Sequence, residues 1–256
     1  MSESKTTANE ILKSLQRSEL INIIVEGKDE LIIYRWLENK LRLTSKKINF
    51  LVCDGRETLL KVYERIGDLG DDKLVIFLAD KDVWLYSKIP EKYSSIIWTD
   101  GYSIENDVYA GSDLENLLDK DEAVRHQKII FELCKWYAFE IEKYLSSGEQ
   151  PEIAHNINRI CVKGREELCE KFLEMVAYKE PSDEIRQAIH NDYQLKLRGK
   201  LLMSALLRFL SYSNREVKHS RKSLLEMAIK YKENGCLLEK IEVIENKIRA
   251  HRRLIT

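Results

Sequence analysis

The sequence predicts an α/β protein, a mostly parallel sheet with helices on both faces, followed by an α-helical C-terminal lobe. Two observations carry this expectation. Short apolar runs alternate with helix-period segments through the first hundred residues, and after Gly101 only helical periodicity remains. Composition agrees, because 10 glycines and 3 prolines in 256 residues are too few for a turn-rich all-β chain.

Ile21–Val25 reads as a buried strand. Asp29–Leu43 follows as an amphipathic helix, with Leu31, Ile32, Trp36, Leu37 and Leu41 at helical spacing. Ile48–Cys53 is a second strand and Arg56–Leu69 a second helix, closed by turn residues between Gly67 and Asp72. Leu74–Ala79 is the most apolar strand and is expected to be central. Ser95–Thr99 is a short fourth strand after Pro90. Continuous apolar strands joined through helices imply parallel pairing with right-handed crossovers. Helices are expected over Ser103–Leu118, Ala123–Leu145, Glu166–Tyr178, Asp183–Tyr193, Lys200–Leu210, Ser220–Lys232 and Leu237–Leu254. Ser103 with Asn106 and Asp107 is a helix-start signal. The last helix carries a stripe of Leu238, Ile241, Ile244 and Ile248, which either finishes the core, the favoured reading, or meets a partner chain.

Net charge is −1, yet it is unevenly spread. The first 150 residues carry about −7 and the remainder about +6. An acidic half beside a basic half suits a metal centre next to a polyanion-binding surface. No apolar run approaches membrane-spanning length, and the first residues lack the apolar core of a signal peptide. Five scattered cysteines show no metal-ligand spacing, so free thiols and a cytoplasmic location are expected, with no membrane partner.

Chemistry concentrates where apolar strands end in acids. Glu26-Gly27 follows the first strand, and glycine there allows a tight turn and close approach of a phosphate or metal. Glu26 is expected to act as ligand or as proton shuttle, and Lys28 to neutralise a phosphate oxygen. Asp80 and Asp82 follow the third strand. In an extended segment they share one face while Lys81 points away, and two such carboxylates call for a cation between them. Oxygen-only ligands favour Mg²⁺ or Mn²⁺, one or two ions. Asp54 ends the second strand, as a further ligand or as turn and helix cap.

Val25-Glu-Gly-Lys-Asp29 and Asp80-Lys-Asp82 resemble the two signatures of the TOPRIM domain, shared by topoisomerases, bacterial primases and OLD-type nucleases. Gly101-Tyr-Ser-Ile-Glu-Asn-Asp107 and Leu197-Arg-Gly-Lys200 resemble segments of a TOPRIM-like subfamily with a helical C-terminal half. That subfamily includes the nuclease subunit of the PARIS phage-defence system. The resemblance implies that Glu26, Asp80 and Asp82 bind metal and that Glu105 supports a second cation or the attacking water. It further implies a toxic antiphage effector that cleaves tRNA, is restrained by an ABC-type ATPase subunit, and forms a homodimer when released. The chain departs from the OLD-type pattern in lacking a glycine after the paired aspartates. It also has no tyrosine placed to identify a topoisomerase, and a strand-passing enzyme needs a longer chain.

A basic stretch completes the picture. Lys196, Arg198, Lys200, Arg215, Lys218, Arg221 and Lys222 are expected to bind nucleic acid, with Arg208, His190, His219, Tyr193 and Tyr212 interleaved and only Glu216 opposing them between Gln194 and Ser223. The start of the helix at Lys200 is expected to offer exposed amides to a phosphate. The expected division is a TOPRIM-like metal-binding catalytic core over residues 15–118 and a helical lobe over 119–256. The expected function is metal-dependent phosphodiester cleavage. The alternatives are a non-catalytic regulatory subunit of an ATPase complex and, last, a primase-like nucleotidyl transferase.

Overall fold

Four strands, β1 (Ile21–Val25), β2 (Ile48–Val52), β3 (Val75–Ala79) and β4 (Ile97–Trp98), form one all-parallel sheet in the order β2-β1-β3-β4. The computed structural model describes residues 6–28, 30–42, 48–70, 73–162, 164–212, 215–231 and 234–254. The expected helix limits Asp29, Leu43 and Lys232 and the turn residues Asp71 and Asp72 lie outside the described residues.

Val25 pairs with Val52 on one side and with Leu78 on the other, so β1 and β3 are the inner strands. Ile23, Ile24, Val25 and Ile76 to Ala79 are buried, as continuous apolar strands should be. In β2, at the sheet edge, only Ile48 is buried. The buried polar exception, Asn22, is satisfied by Ser18 Oγ at 3.0 Å and the Leu20 carbonyl at 2.8 Å, and accepts from Asn49 Nδ2 at 3.1 Å.

The helices of this half are α1 (Ala8–Arg17), α2 (Leu31–Arg42) and α3 (Arg56–Glu64). Helix α1 is absent from the expected elements, although Thr7 and Glu10 form a capping box at its start and Ile11, Leu12 and Leu15 are buried. In α2 the buried side chains are Ile33, Tyr34, Leu37 and Leu41, whereas Leu31 is exposed. The expected helix over Arg56–Leu69 is α-helical only to Glu64 and ends in a 3₁₀ turn, Ile66–Leu69.

After β4 the chain is helical: α4 (Ile104–Ala110), α5 (Lys120–Ser147), α6 (Ile157–Ile160), α7 (Glu170–Met175), α8 (Asp183–His190), α9 (Tyr193–Lys196), α10 (Gly199–Leu210) and α11 (Arg221–Tyr231). A final helix spans Gly235–Leu254. The single expected segment over Glu166–Tyr178 is shorter, because Cys161 and Leu168 form an antiparallel bridge before α7.

The chain divides into two units, each built from separate stretches of sequence. The first comprises Met1–Asp80, Pro90–Thr99 and Glu233–Thr256. It contains the sheet, α1 to α3 and the final helix, which packs on α2. That helix buries Leu237, Lys240, Ile244 and Ile248, one position away from the expected stripe at its start, and leaves Leu238 exposed. Spacing from Leu237 keeps these four on one face, and the aliphatic stem of Lys240 fills the polar position.

The second unit comprises Lys81–Ile89 and Asp100–Lys232, so the expected boundary at residue 118 falls inside it. Its core is α5 against α8 and α10, with Trp136 and Tyr137 fully buried. Helix α10 is buried around most of its circumference, which explains why its sequence is apolar nearly throughout. No described helix is long and apolar enough to cross a membrane.

Candidate active site

The order β2-β1-β3 makes the carboxyl ends of β1 and β3 a topological switch point, because the chain leaves β1 toward one neighbour and returns on its other side. Glu26 and Asp80 are the residues that follow those two strands. Their relation is direct: the Asp80 amide donates to Glu26 Oε1 at 3.0 Å. On the other side of β1, the Cys53 amide donates to the Val25 carbonyl at 2.7 Å and the Gly55 amide to the Glu26 carbonyl at 3.0 Å. The three strand ends are therefore stapled by two backbone bonds and one to the Glu26 carboxylate, and Glu26 sits at their centre.

Asp54 lies at the same end of the sheet. Its Oδ2 accepts from the Thr6 amide at 2.7 Å, and its Oδ1 is 3.8 Å from Lys28 Nζ. The N-cap position of α3 is held by Gly55. Gly55 has φ of 107°, a conformation that favours glycine, which is why this residue stands at the turn into the helix. Lys28 remains largely exposed. The buried Cys53 thiol registers the local potential: burial first, then the negative charges of Glu26 and Asp54, push its pKa up to about 12.

Arg56, which opens α3, has no counterpart among the expected site residues. Its Nε is 3.6 Å from Glu26 Oε1, its Nη2 donates to the Asp80 carbonyl, and its guanidinium lies 5.8 Å from the Trp98 ring centroid. A single arginine at a helix start carries no local pattern that would mark it.

Asp80 closes the first unit and Asp82 belongs to the second. The expected extended segment, with both aspartates on one face, is not what forms. Strand β3 ends at Ala79, Lys81 is right-handed helical, and Asp82 has φ of 45°. The Asp82 amide donates to the Tyr102 carbonyl at 2.8 Å, which turns the chain into a 3₁₀ turn and removes the two-residue alternation. Aspartate tolerates this left-handed conformation better than most side chains.

The segment Ser103 to Asp107 is bonded throughout to its own turn and to a distant stretch of the second unit. Ser103 and Asn106 form a capping box on α4. Asn106 Nδ2 also donates to the Gln194 and Leu197 carbonyls, both at 2.7 Å. Asp107, fully buried, accepts from the Asp100 amide at 3.0 Å and the Gly101 amide at 2.8 Å. Glu105 is 2% exposed and ion-paired with Arg221. Gly199, at the start of α10, sits against this segment: a Cβ there would lie 2.7 Å from Ser103 Oγ and 2.9 Å from Asn106 Oδ1. The two segments singled out in the sequence, Gly101–Asp107 and Leu197–Lys200, are thus packed together.

That packing corrects the expectation of an exposed α10 N-terminus, because Gly199 is buried against α4. Lys196, Arg215 and Arg221, among the seven basic residues, have internal partners. Lys196 Nζ donates to the Ala188 carbonyl at 2.8 Å, Arg221 pairs with Glu105, and Arg215 Nη1 contacts both Glu122 oxygens at 2.7 and 2.8 Å. Arg198 and Lys200 are half-buried, while Lys218 and Lys222 are exposed. The Tyr193 hydroxyl donates to Glu115 at 2.7 Å; burial first, then that bond, raise its pKa to about 12. Tyr212 is 62% exposed and, with Arg165, Arg208, Arg215 and Lys218, borders a groove of about 1250 Å³.

The carboxylates of Glu26, Asp54 and Asp80 have the donor chemistry of a hard divalent cation. Their arrangement does not yet fit one. Among the described residues, no group of three or more His, Cys, Asp or Glu side chains is placed to hold a metal ion. Glu26 Oε1 is engaged instead by the Asp80 amide and Arg56. Compared with known proteins, the chain matches no protein-family model and no curated protein.

Proposed function

We propose that this chain is a metal-dependent nuclease that cleaves phosphodiester bonds, with tRNA as substrate, and acts as the toxic effector of an antiphage system. The observation that carries the reading is the Glu26–Asp80 relation: two acidic residues at the carboxyl ends of adjacent parallel strands, with the Asp80 amide donating to the Glu26 carboxylate at 3.0 Å at the switch point of the sheet. Glu26 is the group suited to accept a proton from an attacking water. Lys28, exposed beside it in sequence, suits a phosphate oxygen. Asp82 and Glu105 enter the proposal from the TOPRIM resemblance alone, as do tRNA, Mg²⁺ or Mn²⁺, the ATPase partner and a released homodimer. Lys218 and Lys222 are the basic residues exposed for backbone contacts.

A second reading, a non-catalytic subunit of an ATPase complex, draws support from the engagement of Glu26 by Arg56. One experiment separates the two. Purified chain is incubated with total tRNA or plasmid DNA under Mg²⁺, Mn²⁺ or EDTA, beside Glu26→Gln. Metal-dependent cleavage that the substitution abolishes supports the nuclease, and the substrate cut identifies the nucleic acid. Cleavage equal in both proteins sinks the site assignment. Absence of cleavage, with partner binding indifferent to Glu26→Gln, favours the regulatory subunit.

A further inference from the structure

The groove of about 1250 Å³ in the second unit is lined from α5, α6, α10 and the segments that follow α6 and α10. None of Glu26, Asp80, Asp82 and Glu105 lines it. Its cations are of two kinds. Arg125 is paired with Glu166 at 2.6 Å and Arg215 with Glu122 at 2.7 Å, so their charges are compensated. Arg165, Arg208 and Lys218 form no ion pair among the described residues. The remaining lining acids are Asp119 and Glu216, and Asp119 Oδ1 is committed to the Glu122 amide at the start of α5.

Arg208 is fixed in direction. It is half-buried in the last turn of α10, and its Nη2 donates to the carbonyls of Val162 at 2.9 Å and Cys161 at 3.3 Å, just past α6. Its Nη1 is closed to solvent without a hydrogen-bond partner. Backbone dipoles thus orient the guanidinium, but its full charge, which arginine cannot shed, has no counter-ion. A half-buried charge of this kind attracts an anion in the groove more strongly than a fully solvated one would. Tyr212 lines the same groove two residues past α10 and is 62% exposed. Among the described residues its ring meets no other ring. An open aromatic face beside uncompensated cations is complementary to a base joined to a phosphate.

We infer that this groove binds nucleotides, with phosphate drawn to Arg208, Arg165 and Lys218 and a base stacked on Tyr212. Its volume exceeds the roughly 300–1,000 Å³ of ordinary ligand pockets, which leaves room for more than one nucleotide. A free nucleotide and the unpaired residues of a strand present the same chemistry, and the two sources separate by experiment. The site stands whether or not Glu26 cleaves anything, because no residue of the strand ends takes part in it.

Binding is read by fluorescence anisotropy on the full chain in EDTA, where metal-dependent cleavage cannot intrude. The probes are a fluorescent AMP analogue and a labelled oligouridylate, with inorganic polyphosphate as competitor. Tyr212→Ala should weaken binding at least about fivefold, whereas Tyr212→Trp, which keeps a ring, should hold it. Arg165→Gln and Arg208→Gln should each weaken binding and flatten the salt slope for the oligouridylate by about 0.7. Lys179→Gln, the same loss of charge at an exposed position outside the groove, should change neither. If Arg208→Gln fails to fold, the variants of the exposed Arg165 and Tyr212 still decide. Both probes bound with these dependences supports a site for free nucleotides; the oligouridylate alone supports a strand site. No binding of either probe, or binding indifferent to Tyr212→Ala and Arg165→Gln, overturns the inference. Polyphosphate of equal affinity, with Tyr212→Ala without effect, marks a general anion surface and overturns it too. The role of Glu26 is decided separately, by cleavage.

Discussion

Arg221 of α11 forms an ion pair with Glu105 of α4, a carboxylate that is almost wholly buried. Breaking one side of a buried pair leaves the other charge without compensation, typically at about 3–5 kcal/mol. Arg221→Met should therefore lower stability by about 3–5 kcal/mol in urea unfolding. Glu105→Gln combined with Arg221→Met should recover most of that loss. If the double variant folds well yet cleaves nothing, Glu105 has a chemical role beyond the pair.

Asn106 joins two distant stretches by accepting from Ser103 and donating to the Gln194 and Leu197 carbonyls. Net contributions near 1 kcal/mol per bond predict that Asn106→Ala destabilises the chain by about 2–4 kcal/mol. Chemical denaturation checks the value, and a loss below about 0.5 kcal/mol would show the bonds to be replaceable by water.

His126 is fully buried in α5, edge-on to Phe209, and its pKa is held below the usual 6.5 by desolvation, with Glu115 opposing weakly. Unfolded, the imidazole binds a proton below pH 6.5; folded, it resists until a lower pH. Stability is thus fully present above pH 6.5 and falls as pH drops toward the folded pKa. Urea unfolding at pH 7.5 and 5.5 should show this decline in wild type, and a shallower one in His126→Phe.

The seven basic residues should separate into two groups. Lys218→Glu and Lys222→Glu, at exposed positions, should weaken nucleic-acid binding while leaving stability unchanged. Each lost backbone contact should flatten the log K against log salt slope by roughly 0.7–0.9. Arg215→Gln should instead lower stability by about 1–3 kcal/mol, because its partners are Glu122 and the Leu117 carbonyl. Fluorescence anisotropy at several salt concentrations in EDTA, beside unfolding curves, distinguishes the two behaviours.

What the sequence discloses follows the range of the forces involved. Strand β1 is legible to the residue, since an apolar run bounded by polar residues needs no distant partner. The parallel sheet and the acids at its carboxyl end follow from that alternation. Helix α1 carries a readable local signal, the Thr7–Glu10 capping box. The turn at Asp82 was not legible, because it depends on a bond to Tyr102, twenty residues away. The engagement of Arg56, and of the arginines thought free for phosphate, is set by partners that only the fold brings near. Local pattern thus reveals elements and their acids, whereas the fate of each long charged side chain belongs to tertiary structure.

The final helix packs in the same unit as the sheet, although about 130 residues of the other unit intervene between them. During synthesis the acids of β1 and β3 leave the ribosome early, but the unit that holds them is completed by a helix made about 130 residues later. A nascent chain therefore carries its chemistry in an unfinished frame. Vectorial translation therefore keeps the sheet's unit open until about 130 further residues have been made.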